Sequence, residues 1–89
     1  MATVHLPRSL VTLFTDPPPR HLQLASTTLS GLVDDLDSRW PGMRDRLLEP
    51  GPRLREHINV VVDGERERDL AVPLRDSSVV HVIPAVAGG

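Results

Sequence analysis

Leu29, Leu32, Val33, Leu36 and Trp40 recur at steps of three and four, the spacing that gathers side chains on one face of a helix. This is the strongest helical pattern in the chain, and both of its ends are marked. Ser26 or Thr27 is placed to cap the N-terminus by accepting a bond from an unpaired backbone N–H group. Pro41 disfavours helical geometry in the residue before it and Gly42 assists the break, so the helix should end near Trp40. Met43 and Leu47 stand four apart and predict one further short helical turn. With a single substantial amphipathic helix, the rest of the core has to come from strands.

The flanking segments supply them. "TVHLP" alternates, with Val4 and Leu6 on one side and Thr3 and His5 on the other, until Pro7 ends the strand or places it at an edge. "RSLVTLFTDPPPR" is apolar without that alternation; Leu10 and Phe14 should pack over an end of the core, and the three prolines make a stiff connector. "HLQLA" alternates again, with Leu22 and Leu24 inward. After the helix, "EPGPR" reads as loop. "HINVVVDGERERDL" carries the clearest hairpin signal, with Ile58, Val60 and Val62 on one side, an Asp63-Gly64 reversal and a polar return strand over Glu65 to Arg68. The last strand, "VVHVI", turns Val80 and Val82 inward and Val79, His81 and Ile83 outward. One sheet face can bury against the Leu29 to Trp40 helix, a two-layer α+β arrangement. A final strand lying parallel beside the first would give a β-grasp fold.

Eighty-nine residues make one domain, and 39% hydrophobic with 25% charged residues is ordinary globular usage. Without cysteine the chain has no disulfide, thiol nucleophile or thiolate metal site. Its formal charge of -2 offers no electrostatic reason for a nucleic-acid or membrane partner. The first ten residues lack the charged start and continuous apolar run of a signal peptide, and no later run approaches membrane-spanning length, so the sequence predicts a cytoplasmic protein. All ten basic residues are Arg. The N-terminal amine is therefore the sole aliphatic amine available to attack an activated acyl group.

Beyond Ile83 strand character fades, which divides the chain into a domain over 1–83 and a tail over 84–89. Pro84 cannot donate to a sheet ladder, Ala87 has little to bury, and Gly88 and Gly89 are the residues most expensive to fix. Six residues from Pro84 to Gly89 can reach ~20 Å at about 3.3 Å each. A flexible terminal arm is expected, with small residues that would let an enzyme enclose the terminal carboxylate in a narrow channel. That shape suits a carrier whose cargo sits on the last carbonyl carbon.

"TVHLP", "RWPGMRDRLLEP", "REHINVVVDGE", "PLRDSSVVHV" and the ending "IPAVAGG" together resemble the ubiquitin-like sulfur carriers of the MoaD/ThiS family, with the middle and end most similar to CysO-type carriers. The resemblance implies a ubiquitin-like β-grasp fold and a chemistry at Gly89. A ubiquitin-activating-like adenylyltransferase would use ATP to convert the Gly89 carboxylate into an acyl adenylate, and sulfur delivery would yield a thiocarboxylate. The tail residues Pro84, Ala85, Val86, Ala87 and Gly88 would occupy the partner's channel, and Val61, His81 and Ile83 would meet the adenylyltransferase. The carrier would bind no cofactor and supply no catalytic side chain. Its recipient would be a pyridoxal-phosphate cysteine synthase, or else the large subunit of molybdopterin synthase; thiamine or secondary-metabolite pathways are further recipients the resemblance allows. A noncovalent β-grasp interaction module is the reading from a different class.

Other residue groups point to no separate chemistry. His5, His21, His57 and His81 are not spaced like metal ligands and read as surface histidines. Asp34, Asp35 and Asp37 diverge on a helix and read as a solvated face. Arg53, Arg55, Arg66 and Arg68 are interrupted by Glu56, Glu65 and Glu67, and too few aromatics accompany them to stack bases.

Overall fold

Residues 2–5 alternate between buried and half-buried positions, and a two-residue period recurs over residues 58–62 and 79–83 of the same sheet. The computed structural model describes residues 1–84. Its elements run β1 (Ala2–His5), α1 (Arg8–Val11), β2 (His21–Leu24), α2 (Leu29–Arg39), α3 (Met43–Leu47), β3 (Leu48–Glu49), β4 (Arg53–Leu54), β5 (Ile58–Val62), β6 (Glu65–Glu67) and β7 (Val79–Pro84). Five of the strands form one sheet in the order β2-β1-β7-β5-β6. The last strand lies parallel to the first, Val4 opposite Val80, and every other pairing in the sheet is antiparallel. The expected mixed α+β sheet over one main helix is present.

The sheet's inner face supplies Ala2, Val4, Leu24, Val60, Val80 and Val82, and α2 supplies Leu29, Leu32, Val33 and Leu36, all in one continuous core. Leu10, Met43, Leu47, Leu54 and Leu74 close its ends, with Phe14 and Trp40 partly buried against it. Burying each of these leucine, valine or methionine side chains contributes roughly 1.5–3 kcal/mol.

Two expectations about α2 need revision. The cap is Thr28 rather than Ser26 or Thr27: its backbone is extended, and its Oγ1 accepts the Gly31 N–H at 3.0 Å. The strand-like segment simply runs later than the sequence suggests, because Thr27 carbonyl accepts from Leu74 N–H and Thr28 bridges Pro73. Ser26 instead donates to Asp35 at 3.2 Å. The helical aspartates are also more than a solvated face. Asp37 Oδ1 accepts from the backbone N–H groups of Gly42 and Arg44, at 3.1 and 3.0 Å, and so fastens the start of α3 to the end of α2. Gly42 occupies φ 100°, where a side chain would be strained, and Asp34 pairs with Arg44.

Helix α1 was not legible as a helix: four residues after Pro7 are too few to display a period. The β3–β4 pair, Leu48 opposite Leu54 and Glu49 opposite Arg53, takes in both ends of the segment expected to be loop. The β5–β6 reversal at Asp63-Gly64 is as expected, both residues having positive φ as a tight hairpin requires. Arg68 then locks the sheet's edge, donating to the carbonyls of Ile58, Leu54 and Arg55 at 2.9–3.1 Å. The other arginines of that group are likewise occupied separately, Arg53 by Glu49, Arg55 by the Asp45 carbonyl and Arg66 by Asn59.

Candidate functional site

Strand β7 is held on both sides at its start and on one side at its end. Its pairing with β1 ends at His5–His81, whereas its pairing with β5 continues through Asn59–Ile83 to Ile58–Pro84. Pro84 therefore belongs to the strand and not to a tail beginning there. A proline is tolerated because β1 has already left at this height, so β7 is an edge strand for its last residues and one missing N–H breaks no second ladder. Pro84, the last described residue, lines two shallow clefts. One, of about 360 Å³, is lined by His5, Arg20, His21, His81 and Ile83; the other, of about 380 Å³, by Leu10, Leu13, Arg46, Arg55 and His57. Ala85, Val86, Ala87, Gly88 and Gly89 lie outside the described residues.

Val61, His81 and Ile83 do come together. Val61 and His81 are direct cross-strand partners, and Ile83 follows two residues along on the same outer face of the sheet, 45% exposed; Val61 is half-buried between its neighbours. The residues missed from sequence are those that extend this row. His21, His5 and His81 are consecutive register partners across β2, β1 and β7, and the row continues through Val61 to Arg66. The His5 and His81 rings stack with centroids 4.4 Å apart, and His21 meets His5 edge-on at 4.3 Å. Spacing along the chain could not reveal this; only the pairing of β1 with both neighbours does.

Stacking has an electrostatic consequence. Burial disfavours a charge on the central ring, and the imidazoles of His81 and then His21 oppose it further, so His5 titrates below the usual 6.5. An NMR titration of the ring protons should place the His5 midpoint below that value, and His81→Gln should raise it partway back. A midpoint at or above 6.5 in the unaltered chain would contradict the stacked arrangement. Among the described residues, no group of three or more His, Asp or Glu side chains is arranged to hold a metal ion, and no helix is long and apolar enough to cross a membrane.

A mixed five-stranded sheet wrapped over one principal helix, with parallel first and last strands and an exit from the sheet's interior strand, defines a ubiquitin-like β-grasp protein. The chain belongs to the ThiS family, whose model matches residues 18–89 and so includes the terminal diglycine. The sulfur carrier protein CysO of Mycobacterium tuberculosis is 31% identical over 75 residues, 79% of this chain and 81% of that protein. The crystal structure of the Amycolatopsis orientalis BexX/CysO complex matches with a TM-score of 0.86 at 29% identity, covering 100% of both chains. That of Mycobacterium tuberculosis CysO matches with a TM-score of 0.82 at 25% identity, covering 97% of this chain and 100% of the other.

Proposed function

We propose that this protein is a sulfur carrier that is activated at Gly89 and delivers sulfur to cysteine synthesis. The observation that carries the reading is its likeness to CysO over most of the chain, with the family match running through Gly88 and Gly89. A carboxylate is a poor electrophile toward sulfide. An adenylyltransferase of the ubiquitin-activating type overcomes this by joining a Gly89 carboxylate oxygen to the α-phosphorus of ATP, with loss of pyrophosphate. Hydrosulfide then attacks the acyl carbon and AMP leaves with the bonding pair of the broken C–O bond, giving a C-terminal thiocarboxylate once the S–H proton is lost to solvent. The thiocarboxylate sulfur is the nucleophile presented to an activated serine derivative on a pyridoxal-phosphate synthase.

In this scheme the carrier contributes shape and no catalytic side chain. It has no phosphate-binding GxxxxGK[ST] loop, so ATP is bound by the partner. The absence of lysine leaves the acyl adenylate without a side-chain amine to capture it within its own chain. Val61, His81 and Ile83 form the centre of the docking face, and Ala85 to Gly89 fill the partner's channel.

The test is an intact mass spectrum of the chain co-expressed with its neighbouring genes, followed by alkylation with a thiol reagent. The expected product carries one oxygen-to-sulfur replacement mapped to Gly89 and becomes alkylated there, since the chain has no cysteine to compete. An unmodified terminus in the presence of an active adenylyltransferase, ATP and a sulfur source would overturn the reading in favour of a noncovalent interaction module.

A further inference from the structure

The outer face of the sheet gathers three histidines and two arginines in a chain whose formal charge is -2. His21, His5, His81, Val61 and Arg66 form one row across all five strands, and Arg20 joins the first three in the cleft beside the exit of β7. Among the described residues, no carboxylate lines that cleft. Glu65 and Glu67 flank Arg66 in β6 and by strand alternation point to the opposite side. Asp63, two residues beyond Val61 in the chain, is already engaged, its Oδ1 accepting from Val79 N–H at 2.9 Å and its Oδ2 lying 3.8 Å from Arg75. Thr3, Gln23 and Asn59, the other polar outward positions, are uncharged.

We infer that this face is built for a protein partner that presents carboxylates around an apolar contact, Ile83 and Val61 forming the middle and the three imidazoles with Arg20 and Arg66 receiving the acids. The inference rests on the carrier reading and deepens it by giving the chemistry of the adenylyltransferase surface. It also implies that docking takes up a proton. A neutral imidazole offers one N–H donor, whereas an imidazolium offers two and a charge. In the free chain the central ring is held neutral by burial and by its two histidine neighbours. A facing carboxylate reverses that preference, and carboxylates stay ionised down to about pH 4. Association should therefore tighten as pH falls from 8 towards 6 and weaken with salt, which screens exposed charges.

The test measures pyrophosphate release by the purified adenylyltransferase as a function of carrier concentration, for the full chain and its variants, at pH 8 and pH 6.5 and at two salt concentrations. One proton taken up changes affinity by at most about tenfold per pH unit, so KM for the unaltered carrier should fall roughly three- to tenfold between pH 8 and 6.5. His5→Gln should flatten that change; the ratio between carriers at each pH cancels the enzyme's own titration. His81→Glu and Arg66→Glu, both exposed positions, should each raise KM about tenfold with kcat nearly unchanged, because like charges would then face each other. Either variant alone suffices should the other fold poorly. KM values insensitive to pH, salt and charge reversal, or lowered by charge reversal, would overturn the inference while normal turnover left the carrier reading intact. Failure of the unaltered carrier to be adenylated would overturn the carrier reading itself.

Discussion

Appending a single alanine after Gly89 should reduce adenylation by at least about 100-fold while leaving the melting temperature unchanged. The added residue displaces the reacting carboxylate by about 3.3 Å, and a misplacement near 1 Å is already enough to cost roughly 100-fold in an oriented reaction. In the proposed complex it would also put a β-carbon where the partner's channel meets the last residue. The folded domain should be indifferent, because its continuous core is drawn from residues between Ala2 and Val82. Gly88→Ala is the milder companion: the chain keeps its length, one methyl group would enter the proposed channel, and turnover should fall less. Pyrophosphate release with purified adenylyltransferase, beside a thermal melt of each variant, checks both. Normal turnover with the extended terminus would remove Gly89 as the acceptor, and a large drop in melting temperature for Gly88→Ala would mean that the tail belongs to the folded core.

The sequence singles out Gly88 and Gly89 by their place after an apolar strand, and both lie outside the described residues. Within the described domain, the legible elements are those whose pattern is long relative to its period. Eleven residues of α2 repeat the helical step often enough to name their own buried face, and five residues of β5 followed by Asp63-Gly64 specify both a strand and its reversal. Parity alone placed Val80 and Val82 inward and His81 and Ile83 outward. What escaped depends on information that is not local. Four-residue α1 and the two-residue strands β3 and β4 are shorter than the patterns that would announce them. Thr28 was passed over as the cap because Ser26 and Thr27 offer the same chemistry, and only the bonds of Thr27 and Thr28 to the 73–74 segment choose between them. The histidine row is the sharpest case. His5 meets His21 through an antiparallel register and His81 through a parallel one, so residues 16 and 76 positions apart in sequence become neighbours only when both pairings are fixed.

Leu36→Ala should do the reverse of the extended terminus, damaging the fold and sparing the chemistry. Leu36 is 0% exposed, at the centre of the α2 face that covers the sheet, and its truncation removes both the transfer free energy of the side chain and the contacts of the atoms around the cavity it leaves. Leu→Ala changes in such sites cost about 2–5 kcal/mol. A domain of this size has roughly 5–13 kcal/mol of stability in all, so a loss near 3 kcal/mol is a large share of it and corresponds to a fall in melting temperature of about 12–24 °C. Helix propensity does not offset this, because alanine exceeds leucine by only a few tenths of a kcal/mol. At a temperature where the variant is still folded, the outer sheet face and the exit of β7 are on the far side of the sheet from the cavity, and adenylation should proceed at the unaltered rate. A calorimetric melt and an adenylation assay at 10 to 15 °C, temperatures chosen at about the maximum of the stability curve, separate the two effects. A small shift in melting temperature would mean that α2 is not the principal cover of the sheet. A lost activity in a chain that is demonstrably folded would mean that the helix face, and not the outer sheet with its terminal arm, carries the encounter with the activating enzyme.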